Sequence, residues 1–445
     1  MATLFLWADL SRSHSMHIFR LIHSQYFLLS AFTLLLLTSG RAQDASTAPL
    51  TLSEAIQRVA MHNPELAAQR FKTDAASARI NQASIKPIPT LDFNMENFVG
   101  SGAYQGIDSL EATMKASQRI ERGGKKEKRV AVAEQQMLIA DHETAVRRTE
   151  LLARASEAFV AALIAQQHVA FAESTYELAT KTKAATNLRV QSGAESSAES
   201  ARARAKVAAA NVAKMQSRSQ QRAALTKLFA VWGEVPSATT SLAGAIALPS
   251  LLPDETVLRS KLSDHPRLLL QQSVIASERA NLDLQHARNT SDLTVSGGVR
   301  FHREGSDAAF VAGISMPLPS RNLNRGNIRA ARANVFQAEG TVRTIEVDLR
   351  LKFDTVWQEL QSAHVAAQSL RQDALPALIE VLELMESAYE TGQSPFIEVL
   401  TAQQQIAELQ HDILEHESVY VTALVRLDAL TQSTFPLTQS LLHSR

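Results

Sequence analysis

Two carboxylates stand out as residues whose placement could do chemistry. Glu199 follows Gly193 by six positions, and Glu398 follows Gly392 by the same interval. The stretches that hold them, Leu188 to Arg204 and Tyr389 to Gln405, are short glycine turns between long helical runs. By residue type and position alone these are first-turn acids stabilised by the helix dipole, and the glycines are helix C-caps favoured on backbone grounds.

Other chemistry finds little support. The 13 histidines are scattered, and His411 and His416 are five apart, off the i, i+4 face of a helical zinc pair. There is no cysteine, so thiol catalysis, disulfides, thiolate metal sites and a lipid-anchored cysteine are excluded. Gly123-Gly124-Lys125 lacks the rest of a phosphate-binding loop. No catalytic residue, cofactor or metal ligand is expected, and the chain does not read as an enzyme.

The elements that position the two turns are helical. The chain has only 16 Gly and 13 Pro in 445 residues. That is a helical composition, long enough for two or three domains. The 45 basic and 45 acidic residues cancel, which argues against a nucleic-acid partner. At the N-terminus Arg12 and Arg20 precede an apolar run, Tyr26 to Leu37, and Gly40 and Ala42 follow at the spacing a signal peptidase reads. A signal peptide over 1–42 is expected, with Met1 or Met16 as its start.

The chain then reads as the same thing twice. Asn63-Pro64-Glu65-Leu66 recurs as His265-Pro266-Arg267-Leu268, and Leu91 and Gly124 recur as Leu293 and Gly326, all about 200 residues on. The expected divisions are a first repeat over 43–232, a connector over 233–253, a second repeat over 254–431 and a loosely held tail over 432–445. In the first repeat Ser53 is placed to cap the opening helix, Pro64 interrupts it, and Pro87 and Pro89 stop it. Strands with period-two alternation are expected at about 90–98 and 109–118, and again at 292–301 and 308–316. Corners rich in glycine and basic residues follow, Gly123 to Arg129 and Ser320 to Gly326. The first corner either meets lipid phosphates or is a solvated helix start.

No Gly or Pro interrupts Lys125 to Val190. Such a helix spans about 95 Å, more than any globular core. Ile139, Val146, Ala153 and Val160 recur at sevens, as do Leu349, Val356, Ala363 and Leu370, so these helices pack along other helices. Pro376 should kink the second long helix without ending it. The connector from Ser237 to Pro253 should pack outside the helices.

The strands decide the class. Each has one apolar and one polar face, and long narrow helices offer no core to cover the apolar one. A barrel in the outer membrane does, with lipid outside and water inside. Four strands cannot close such a barrel, since the smallest has about eight. Two or three copies would supply eight or twelve, and the chain must then oligomerise.

At this point the sequence resembles the TolC family of outer-membrane efflux channels. The resemblance rests on the opening from Leu50 to Leu66, the two strand pairs, the duplication, and the glycine turns with their acids. Gln118 to Lys125 is similar to the CzcC-like branch, which serves heavy-metal efflux pumps. The family implies a mainly α fold with a small β part. Long helical hairpins and four transmembrane strands per chain would build a homotrimer with a 12-stranded β-barrel and a periplasmic helical tunnel. It implies outer-membrane lipid around the barrel, a periplasmic adaptor at the tips, and an inner-membrane RND-type pump beyond it. Carried over, Gly193, Gly392, Arg189 and Tyr389 would form the adaptor-docking tip. Glu398 would ring the aperture, with Glu199 its repeat mate. Drug efflux or type I protein secretion is the alternative within the channel reading. A non-channel periplasmic coiled-coil protein is the alternative outside it.

Overall fold

A computed structural model of the chain describes residues 49–237, 239–246, 248–318, 324–431 and 435–443. The expected signal peptide, and most of the corner from Ser320 to Gly326, lie outside them. The chain divides into two units. One comprises Met1–Pro49 with Ser237–Ser241, and the other holds everything else. In the smaller unit the Thr240 N–H donates to the Ser237 carbonyl at 3.2 Å.

The larger unit is mainly helical with one small sheet. Helix α1 (Leu52–His62) opens at Thr51, whose hydroxyl accepts from the Glu54 amide while the Glu54 carboxylate accepts from the Thr51 amide. This reciprocal pair displaces Ser53 from the expected capping role, because Thr51 has the extended backbone that a cap requires. Asn63 then ends α1 and caps α2 (Pro64–Ser84), its side chain accepting from the Glu65 and Leu66 amides. His265 plays the same part before α6 (Pro266–Ala287), its Nδ1 accepting from the Arg267 amide at 3.2 Å. Burial, with Arg267 nearby, lowers the pKa of His265 to about 4, which keeps the ring in the neutral form that can accept.

The longest helix, α3, runs from Lys125 to Gln191, 67 residues. It is followed by α4 (Ser197–Ala230), which stops where Trp232 packs and Gly233 turns at φ +84°. After the short helix α5 (Glu255–Ser260) come α6 and then α7 (Arg325–Ser369). Pro376 does not end the second long run. A π turn over Leu370–Ala374 precedes α8 (Leu375–Glu390), since the proline ring lacks an N–H and crowds the carbonyl four residues back. Helix α9 (Phe396–Thr431) completes the second hairpin.

The core lies where α9 packs against the middle of α3 and against α7. Leu151, Phe159, Leu163, Phe353, Leu360, Tyr420 and Leu427 are buried there. The predicted seam is only partly the buried line: Val160, Leu349, Val356 and Ala363 are buried, while Ile139, Val146, Ala153 and Leu370 are half-buried.

Two expectations about the periphery are corrected. From Leu242 the connector enters the core instead of lying outside it: Gln166 brackets the Leu242 backbone from both sides, and Leu242 and Ile246 are buried. Nor is the described part of the tail loose. Helix α10 (Pro436–His443) is anchored by Phe435, fully buried, and by Asp428. The Asp428 carboxylate accepts from the Thr438 hydroxyl and amide, each at 2.7 Å. Both corrections have one cause: scattered Leu, Ile and Phe in a polar stretch carry no period, yet each buries enough apolar surface to pin its segment.

The strands are β1 (Thr90–Glu96), β2 (Glu111–Ile120), β3 (Leu293–His302) and β4 (Asp307–Ser315). They form one antiparallel sheet in the order β1-β2-β3-β4, so the two strand pairs meet through β2 and β3.

Candidate functional site

The sheet's two faces are chemically distinct. Leu91 pairs with Ala116, Phe93 with Met114, Met114 with Val299, Val299 with Phe310, and Val295 with Ile314, all on one face. That face is open: Leu91 is 71% exposed, Phe310 93% and Ile314 76%. The other face carries Asp92, Glu111, Thr113, Lys115, Ser117 and Arg300. Arg300 reaches across from β3 to Glu111 at 3.1 Å and to the Thr113 hydroxyl at 3.1 Å, and Ser117 donates to Asp92 at 3.0 Å. Thr113 is buried. The apolar face is therefore the more exposed of the two, the inverse of a sheet in water, where apolar groups turn inward. Gly298 allows the close strand approach here, since a Cβ on it would lie 2.1 Å from the Met114 carbonyl oxygen. The outer strands β1 and β4 each keep one edge unpaired among the described residues.

The basic corner beneath the sheet is spent within the chain. Lys125 pairs with Asp292 at 2.6 Å, Lys128 with Asp283 at 2.7 Å, and Arg129 with Glu121 at 2.7 Å. Arg129 also donates to the carbonyls of Ala83 and Ile85. The hydrogen bond from Arg129 holds the Glu121 carboxyl below its ordinary range. These three cations tie the corner to α2 and α6, and the Lys128–Asp283 pair is still about half-exposed to solvent.

At the far end of the helices, the two glycine turns are built alike. Gly193 has φ +77° and Gly392 φ +73°. Gly193 N–H donates to the Val190 carbonyl and Ala194 N–H to that of Arg189. Gly392 and Gln393 donate in the same way to Tyr389 and Ala388. Both are paired C-terminal caps with the left-handed residue that glycine adopts without a steric penalty. The two turns are also joined. The Arg189 guanidinium stacks over the Tyr389 ring at 4.4 Å and the Phe396 ring at 5.2 Å, and those rings lie 5.3 Å apart. Its Nε lies 3.9 Å from Glu195. Arg189 and Tyr389, expected in one surface, are thus in contact. Phe396 completes the cluster, and nothing local in the sequence marks it, since it sits past the turn.

The acids are not brought together within one chain. Glu199 is in the first turn of α4 and pairs with Arg202 at 2.5 Å. Glu398 is in the first turn of α9, is exposed, and has no ion pair among the described residues. A neutralised acid and a free one are not equivalent, so the two acids differ in kind.

The family model for "Outer membrane efflux protein" matches residues 55–234 and 257–432. This chain belongs to the outer membrane efflux protein family. As a member it is an efflux conduit and not an enzyme, set in the outer membrane with its helical part in the periplasm. Family members in tripartite systems work with an adaptor and an inner-membrane pump. Among its relatives, the cobalt-zinc-cadmium resistance protein CzcC of Cupriavidus metallidurans is 27% identical over 80% of this chain and 83% of its own length. The nickel-cobalt-cadmium resistance protein NccC of Alcaligenes xylosoxydans is 25% identical over 71% of each. The fold is that of the outer membrane protein VceC of Vibrio cholerae, with a TM-score of 0.67 at 16% identity, covering 86% of this chain and 96% of that one.

Proposed function

We propose that this efflux protein exports divalent heavy-metal cations as a homotrimeric channel, docked through its helical tips on a periplasmic adaptor and an inner-membrane RND-type pump. The observation that carries the channel is the sheet, whose apolar face is open and whose β1 and β4 edges are unpaired. An isolated sheet with both features aggregates. Lipid against the face and neighbouring copies along the edges remove both liabilities at once, and three copies of four strands give twelve. The cargo is supported by the relatives, which are named for resistance to cobalt, zinc, cadmium and nickel. The tandem repeat, expected from the recurring motifs, is supported by the two caps of identical hydrogen-bond pattern and by the strand pairs.

In this reading Gly193, Gly392, Arg189 and Tyr389 form the adaptor-docking tip. The Arg189 stack ties the two hairpins into one surface. Glu398 rings the aperture, since it alone of the two acids has no cation beside it; Glu199, paired with Arg202, has the lesser part. A strain lacking this chain should lose growth on graded zinc, cobalt and cadmium and should accumulate periplasmic metal, both restored by the wild-type gene. Unchanged metal tolerance with restored drug efflux instead would refute the cargo.

A further inference from the structure

Three side chains that the channel does not require converge midway along the helices. His168 lies on α3, and His411 and Glu415 lie one turn apart on α9. His168 Nε2 is 3.7 Å from Glu415 Oε1, and His411 Nε2 is 3.9 Å from the same oxygen. One donor atom from each of the three falls within 4.8 Å of the others. These separations are too long for hydrogen bonds, so the group is assembled without being satisfied internally. Glu415 has no other cation beside it among the described residues. Two ring contacts hold the imidazoles in place: His411 stacks on Phe171 at 5.7 Å, and His168 meets His411 edge-on at 5.9 Å.

Two imidazoles and one carboxylate make a donor set for zinc, cobalt, nickel or copper(II). Tetrahedral zinc with bonds of about 2.0–2.1 Å sets its donors about 3.3 Å apart. Small side-chain rotations close the observed separations to that value. His411 and Glu415 stand four apart on one helix, the spacing that lets two ligands share a face. Partial burial, more than any charge, lowers the pKa of His168 and favours the neutral ring that ligates. About half of the His411 and Glu415 side chains is exposed, so water can take the remaining coordination position.

The geometry points to a divalent transition-metal site formed by His168, His411 and Glu415, bridging α3 and α9 on the helical wall. It is separate from the Glu398 aperture. It stands on these side chains and not on the cargo, so a channel for another substrate leaves it in place. An ion there would clamp the first hairpin to the second, and the position left to water would make it an exchangeable site.

The test is a titration of the purified mature protein in detergent with Co²⁺, followed by the visible absorption of the ligated ion, with Zn²⁺ as competitor. Wild type should take up one Co²⁺ per chain and release it to Zn²⁺. The double variant His168→Ala/His411→Ala should bind at least about tenfold more weakly, since even loss of a ligand's supporting partner costs 10–100-fold. Glu415→Gln, which preserves shape, should also weaken binding, and His416→Ala, one helical residue beyond, should not. Equal binding by wild type and the double variant, or equal loss in His416→Ala, would assign the uptake to surface histidines in general and overturn the site.

Discussion

Phe310→Arg is the sharpest probe of the sheet. Phe310 lies mid-strand opposite Val299, and it is 93% exposed in the single chain. If that exposure faces water, replacing it with arginine is nearly neutral, within about 0.5 kcal/mol. If it faces lipid, two losses add. Removing the ring forfeits about 1.5–3 kcal/mol of apolar transfer. Placing arginine near the bilayer midplane costs a further ~2–4 kcal/mol. The expected total is about 4–7 kcal/mol per chain, comparable to the whole stability of a typical fold, about 5–15 kcal/mol. The control is Asn94→Arg, exposed on the opposite face of β1. The assay is the amount of heat-resistant oligomer in the outer-membrane fraction, with urea unfolding in vesicles for whatever inserts. Phe310→Arg should reduce the oligomer more than tenfold and Asn94→Arg should leave it. Equal tolerance of both would refute the assignment of the faces.

Further outcomes follow from individual contacts. Gly298→Ala should prevent proper pairing of β2 with β3, because its Cβ would lie 2.1 Å from the Met114 carbonyl oxygen; a normal yield of folded oligomer would contradict this. Arg189→Ala removes the cation stacked on Tyr389 and Phe396, at a cost of about 0.5–2 kcal/mol. Hydrogen exchange should quicken at the tips alone, and an unchanged rate would show that the hairpins are held otherwise. Asp428 is raised by burial from an ordinary 3.8 to about 6. Its folded pKa lies above its unfolded one, so its contribution is fully present below about pH 3.8 and is lost as pH rises through 6. The difference is about 3 kcal/mol. Chemical unfolding in detergent should show stability rising as pH falls from 7 to 4, and Asp428→Asn should flatten that rise; equal slopes would remove Asp428 as the cause.

Periodicity made the skeleton legible. Alternation at Leu91, Phe93 and Met95 marked a strand because only a two-residue period places every apolar group on one face. The absence of Gly and Pro from Lys125 to Val190 marked α3 because nothing there breaks a helix. Contacts between distant segments were not legible. His168 meets His411 and Glu415, and Arg189 meets Phe396, only because two hairpins lie side by side, and no local pattern records that registry. His411 and His416 are five apart and do not share a helix face, whereas His411 and Glu415, one turn apart, do, and a pattern of histidines alone does not mark that mixed pair. Likewise Ser53 and Thr51 are equally good caps by type, and only the backbone angles separate them. Two of the basic corner's acids, Asp283 and Asp292, lie in the other half of the chain, so no local pattern pairs them with Lys128 and Lys125.

The central claim is a water-filled pore whose aperture at the tips is ringed by Glu398, and single-channel conductance of the purified mature protein in planar bilayers, beside Glu398→Ala, tests it most directly. The account predicts discrete steps with cation preference in the wild type, and steps that are larger or less cation-selective in the variant. Failure to insert, with a soluble elongated species in its place, would contradict the channel, and steps unchanged by the substitution would contradict the role of Glu398.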